Sequence, residues 1–91
     1  MLSIKFTSRF KRDYKAIKKR DLDETLLKEI LNMLANKQSL PERCFDHFLG
    51  GEYANCRDCH ILPDWILIYQ VNPETNTLYL IRTGSHSDLF R

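Results

Sequence analysis

Apolar and polar positions alternate over residues 2–6, which predicts a short strand. The period then changes. Phe10, Tyr14 and Ile17 fall at i, i+4 and i+7, the apolar stripe of a helix that Thr7 or Ser8 caps. Leu26, Leu27, Ile30, Leu31 and Leu34 form the buried side of a second helix, which starts at Asp21 or Asp23 and ends over residues 36–39, before Pro41. The two helices make an antiparallel hairpin. Residues 40–53 have no regular period. Residues 56–62 read as a strand and Pro63-Asp64 as a tight turn. Residues 65–71 are apolar at nearly every position, as in a central strand covered on both faces. A turn over 72–76 leads to a strand over 77–83, and residues 85–90 make a final half-turn or short helix. The expected fold is α+β, of order β-α-α-β-β-β, with the helical hairpin packed on an antiparallel sheet.

Composition narrows the classes. Ninety-one residues are expected to form a single domain, 1–91, with one core. A hydrophobic fraction of 43% beside 29% charged residues is that of a globular chain, which sets disorder aside. No run approaches the ~18 apolar residues of a membrane span, and residues 1–5 lack a signal-peptide core. The expected location is the cytoplasm, with no membrane partner. The three cysteines agree, because an odd number does not close a disulfide framework. Cys56 and Cys59 form a CxxC, but no second pair supplies the ~4 ligands of a zinc site. Residues three apart on a strand also point to opposite faces. Free thiols are expected, with no metal and no cofactor.

Charge is unevenly distributed. Residues 1–20 carry eight Lys and Arg against Asp13 alone, a net +7, while the remainder carries six basic and eleven acidic residues, a net −5. Such a block suits a polyanion or an acidic protein partner, although a solvated helix face has the same composition.

The chemistry concentrates in the second half, where all three histidines lie. Histidine is the side chain whose ordinary pKa, about 6.5, lies nearest neutrality, so it both takes and gives protons. On a strand over 56–62, Asp58 and His60 share a face, roughly 7 Å apart at ~3.4 Å per residue. In a meander the strands 56–62 and 77–83 flank the central strand and run parallel to each other. Their ends then meet at one rim, with His60 and Asp64 on one side and Arg82 and His86 on the other. Imidazoles, carboxylates and a guanidinium without a nucleophilic triad fit metal-free cleavage of RNA, which brings its own 2′-hydroxyl nucleophile. A metal nuclease more often shows a denser group of carboxylates. Asp58 is a candidate for binding substrate, or else only orients a neighbouring histidine or pairs with an arginine. Spacing alone does not decide which histidine is acid and which is base.

Three runs, Asp46-His47-Phe48-Leu49-Gly50-Gly51, Arg57-Asp58-Cys59-His60-Ile61-Leu62-Pro63-Asp64-Trp65 and Arg82-Thr83-Gly84-Ser85-His86-Ser87-Asp88-Leu89-Phe90, resemble YafQ-type toxins of the RelE/ParE superfamily of toxin–antitoxin modules. The likeness spans almost the whole chain. It implies a RelE-like fold and a ribosome-dependent endoribonuclease that cuts mRNA in the A site and is inhibited by a cognate antitoxin. By position in the motifs, His47, His60, Asp64 and His86 correspond to the catalytic group. Phe90 matches the aromatic that helps hold a substrate base. Arg82 matches a residue expected near the scissile phosphate, with a structural ion pair as the alternative, and Trp65 matches an aromatic close to the site, a place that packing explains equally well. The expected roles are His86 as general acid, with Asp64 and His47 or His60 handling the 2′-hydroxyl proton. Lys11, Arg12, Lys15, Lys18 and Lys19 would then contact ribosomal RNA, or receive an acidic antitoxin segment. Cys56 stands where the family often has an aromatic, and Phe48 where it often has proline. The competing reading is a non-catalytic or gyrase-directed ParE-like toxin acting as a binding module, against which the histidines speak.

Overall fold

Residues 1–90 are described by the structure, a computed structural model. The strands are β1 (Ser3–Phe6), β2 (His47–Phe48), β3 (Arg57–Leu62), β4 (Trp65–Asn72) and β5 (Thr77–Gly84), and the helices α1 (Ser8–Lys19), α2 (Glu24–Ala35) and α3 (His86–Leu89). Two 3₁₀ turns, Glu42–Cys44 and Gly51–Tyr53, bracket β2. The five strands form one sheet in the order β1-β5-β4-β3-β2.

Two features depart from the expected sheet. Residues 47 and 48 form a strand of their own, paired with Asp58 and Arg57. β1 joins β5 in parallel, so the sheet is antiparallel only from β2 to β5. Alternation reveals a strand but not its direction, and parallel neighbours need a long connection rather than a hairpin.

The alternation of β4 explains the two apolar layers. Trp65, Leu67 and Tyr69 join Phe10, Ile17, Leu27 and Ile30 in the helix-side core. Ile66 and Ile68 face the other way, onto Leu89, Cys56 and Tyr53. Each such side chain stabilises the fold by ~1.5–3 kcal/mol when fully buried. The second layer is small, but it anchors α3 on the sheet through Leu89.

Local chemistry sets the helix ends. Thr7 Oγ1 accepts from Phe10 N at 3.1 Å and donates to Leu80 O at 2.8 Å, so the cap of α1 is tied to β5. Asp23 caps α2 through Thr25 N at 3.0 Å, and the Tyr14 hydroxyl donates to Glu24, linking the two helices. Ser85 and Asp88 form a reciprocal capping box on α3. Arg20 grips Asp88 with two bonds, at 2.7 and 3.2 Å, pinning α3 to the end of α1. That guanidinium is the main reason the Asp88 carboxyl is held well below the usual carboxylate range. Gly84 is required by close approach, since a Cβ there would stand 2.9 Å from Asp88 Oδ2.

Register positions the rim. His60 pairs with Ile66, and Ile66 pairs with Gly84. One rung of the sheet therefore carries His60 at one side and the residue two before His86 at the other. Ile68 pairs with Arg82 but Tyr69 pairs with Leu80, so Ile81 is the extra residue of a β-bulge. Without it, Arg82 would fall on the helix-facing side with Leu80.

Candidate active site

Six rings form a row along this rim. His47 lies 4.7 Å from Phe45 between centroids, and Phe45 lies 6.2 Å from His60. His60 is 5.4 Å from His86, and His86 is 6.1 Å from Phe90. Tyr53 closes the row, 6.3 Å from Phe90. The structure thus brings together His47, His60, His86 and Phe90 from β2, β3, α3 and the end of α3.

The Nδ1 atom of every histidine meets an oxygen. His86 Nδ1 stands 2.9 Å from Asp64 Oδ1, which also accepts from the His86 backbone N–H at 3.0 Å. These two bonds hold the exposed Asp64 carboxyl below its usual range, the backbone one first. His60 Nδ1 lies 3.2 Å from Pro63 O, and His47 Nδ1 lies 2.7 Å from Phe45 O. A carbonyl or carboxylate accepts only, so each Nδ1 carries the proton; the tautomer follows from the partner. Nε2 is then the lone-pair atom of each neutral ring, and among the described residues it makes no hydrogen bond.

Asp58 lies beneath the row, 4% exposed. Its Oδ1 is 3.1 Å from His47 Nδ1 but receives no hydrogen bond, because the single Nδ1 proton is directed at Phe45 O. Burial pushes the Asp58 carboxyl pKa up, while attraction to His47, then His60 and His86, pulls it down. An orphaned buried carboxylate is costly, and imidazolium charge above it offsets that cost. Asp58 is too buried to touch substrate, so its expected binding role is corrected to an electrostatic one under the imidazoles.

Trp65 is corrected likewise. It is 1% exposed, and its Nε1 donates to Thr83 Oγ1 at 2.9 Å, which in turn donates to Ile66 O at 2.8 Å. It braces the β4–β5 end from the core side. Arg82 is committed to Asp13, with Nε and Nη2 at 3.0 and 2.9 Å, and the two side chains are only 17% and 14% exposed. Asp13 is the chief cause of the raised Arg82 pKa, and it also accepts from Thr83 N at 3.2 Å. Arg82 thus ties α1 to the strand end that carries His86.

Lys11, Arg12, Lys15, Lys18 and Lys19 are exposed on α1 and lie outside the ring row. Arg12 alone of them lines a cavity with Arg82, about 300 Å³, that also takes in Asp13, Arg20 and Asp88. A cavity of about 360 Å³ beside Phe90 is lined by Leu49, Gly50, Tyr53 and Leu89. A cavity of about 450 Å³ contains no histidine and opens between Leu34, Asp46, Arg57 and Tyr69. All three cysteines are free and buried. Among the described residues no three His, Cys, Asp or Glu side chains are grouped to hold a metal ion.

Sequence reasoning missed four residues here. Asp13 had a signal, as the lone acid in a basic block. Asp46 accepts from Tyr69 Oη at 2.6 Å and Arg57 Nε at 3.0 Å, fixing the segment before His47; only its place next to His47 pointed to it. Tyr53 and Phe45 lie in the aperiodic stretch and had none.

The chain matches the family model described as the bacterial toxin of type II toxin–antitoxin system, YafQ, over residues 2–91. It is 38% identical to the mRNA interferase toxin YafQ of Escherichia coli K12 over 88 residues, covering 96% of this chain and 94% of that protein. A crystal structure of a metal-bound toxin from Helicobacter pylori superposes with a TM-score of 0.93 at 41% identity, covering 99% of this chain and 100% of that one. YafQ in the E. coli DinJ–YafQ toxin–antitoxin complex superposes with a TM-score of 0.88 at 36% identity, covering 99% and 98%.

Proposed function

The chain belongs to the YafQ family of type II toxins, and from that premise we propose that it is an endoribonuclease that cuts mRNA in the ribosomal A site by acid–base catalysis without a metal. A cognate antitoxin, as DinJ is for the E. coli relative, holds it inactive. The observation that carries this reading is the pair His60 and His86, 5.4 Å apart, with both Nδ1 atoms engaged.

The two rings have different partners and so different tasks. The Asp64 carboxylate holds His86 through Nδ1 and turns Nε2 toward the leaving oxygen, where Nε2–H serves as the acid. His60 rests on a carbonyl, which supplies no charge; its Nε2 lone pair is the base. In the step, the RNA 2′-hydroxyl gives its proton to His60 Nε2 as the 2′-oxygen bonds to phosphorus. The bond from phosphorus to the 5′-oxygen breaks, and His86 Nε2 protonates that oxygen. The products are a 2′,3′-cyclic phosphate and a 5′-hydroxyl. His47, above the Asp58 carboxylate, supplies positive charge to the phosphorane. Phe90 and the cavity beside it hold one flanking base. The α1 lysines and arginines bind ribosomal RNA in a salt-sensitive way.

Mapping message ends by primer extension after induction tests the reading. Cuts inside translated frames are expected, lost when the antitoxin is co-expressed, and retained by purified protein that has been treated with EDTA and desalted before it is added to ribosomes kept intact in Mg²⁺. Growth arrest with intact mRNA would overturn it in favour of the binding-module reading.

A further inference from the structure

Phe45, like Tyr53, is a ring of the row that no catalytic step uses. It is 65% exposed, more than Phe6 or Phe90 and about as much as Phe48. Its backbone is left-handed, φ 47° and ψ 50°, a region that bulky residues rarely occupy. Both neighbours enforce it. Cys44 before it is fully buried, and Asp46 after it is held by Arg57 and Tyr69. The Phe45 backbone N–H donates to Glu42 O at 2.9 Å, and its carbonyl holds His47 Nδ1. The corner thus presents a phenyl ring to solvent beside two histidines and holds it there despite the strain. A backbone strained in this way at a site is a reason to look for a task.

Beside His60, on the side that also carries Arg43, lies a cavity of about 430 Å³, lined by Arg43, His60, Ile61, Leu62 and Pro63. That volume is within the range of small-ligand pockets. Arg43 is exposed, and among the described residues it has no ion-pair or hydrogen-bond partner. This cavity is on the His60 side of the row, and the one at Phe90 is on the His86 side. A phosphodiester between the two histidines needs room for a nucleotide on each side of it.

We propose that Phe45, Arg43 and the cavity beside His60 form a second nucleotide subsite, the ring stacking on one unstacked base of the message and the guanidinium meeting its phosphate. The inference rests on the ribonuclease reading and adds the specificity-determining residue that the motifs lack. Stacking acts on every base but most strongly on purines, whose π-face is larger. Phe45 therefore sets a purine preference at one nucleotide flanking the cut.

Single-turnover cleavage on ribosomes, with messages carrying a purine or a pyrimidine at each flanking position, tests this. F45L keeps the apolar bulk and removes the π-face. It is expected to lower kcat/KM about tenfold on purine messages, within the range of alanine-scanned base stacking, and to abolish the preference. F45Y restores both. R43Q lowers the salt dependence of kcat/KM by about one ion. If F45L cuts at the wild-type rate with the wild-type preference, the subsite is overturned and the ribonuclease reading stands. A wild-type protein that cuts no message overturns both.

Discussion

Replacing His86 with alanine lowers the cleavage rate by at least about a hundredfold, the low end of what a general acid contributes, and leaves the fold intact. The imidazole is largely exposed and packs into neither core layer. The bond that places residue 86 on the Asp64 carboxylate comes from the backbone N–H, which alanine retains. Exposed substitutions of this kind change stability by about 0.5 kcal/mol or less. Asp64→Asn separates charge from geometry. It keeps an acceptor for the same donors but removes the negative charge that stands beside the His86 ring, so a loss of about tenfold is expected. Rates on programmed ribosomes, with thermal midpoints alongside, check both. An H86A protein that melts normally and cuts at more than a tenth of the wild-type rate would take His86 out of the chemistry.

The second large effect is on stability. Asp13→Ala is expected to cost about 2 kcal/mol, because it strands a half-buried guanidinium and the Thr83 N–H at once. For a chain of this size that is a drop of roughly 10 °C in Tm. Activity falls with it, since the Asp13 bonds hold the strand end that leads into His86. Adding Arg82→Met to D13A removes the stranded charge and recovers part of the loss. The comparison also decides what Arg82 does. If R82M alone destabilises as D13A does and its activity follows its stability, the guanidinium is a brace. If R82M melts like wild type yet loses cleavage, Arg82 serves the phosphate instead.

Much of the frame was legible because its signals are periodic. Residues 65–71 are apolar on both faces, which only a central strand with cover on each side explains, and Ile66 and Ile68 pack against the layer that α3 completes. The flanking of β4 by β3 and β5 followed from the short turns, and with it the meeting of His60, Asp64 and His86. Motif resemblance supplied His47, which periodicity did not place. What stayed hidden was set by single contacts. β2 is two residues long, too short to show a period. The bulge at Ile81, which decides the face of Arg82, leaves no mark in an apolar strand. Asp13 and Arg82 are 69 residues apart, and nothing in their neighbours links them. Trp65 heads a strand apolar on both faces, so its composition could not say which face it took. The left-handed corner at Phe45 is imposed by Cys44 and Asp46 on either side, not by a residue that favours it.

The central claim is that the message supplies the nucleophile and two imidazoles move the protons. It is tested most directly on ribosomes carrying an mRNA with a single 2′-deoxynucleotide on the 5′ side of the cut. The all-ribose message should be cut there and end in a 2′,3′-cyclic phosphate, while the substituted one stays whole at that bond. Cleavage of the deoxy-substituted bond at an undiminished rate, as a water or metal-bound hydroxide nucleophile would give, contradicts the account.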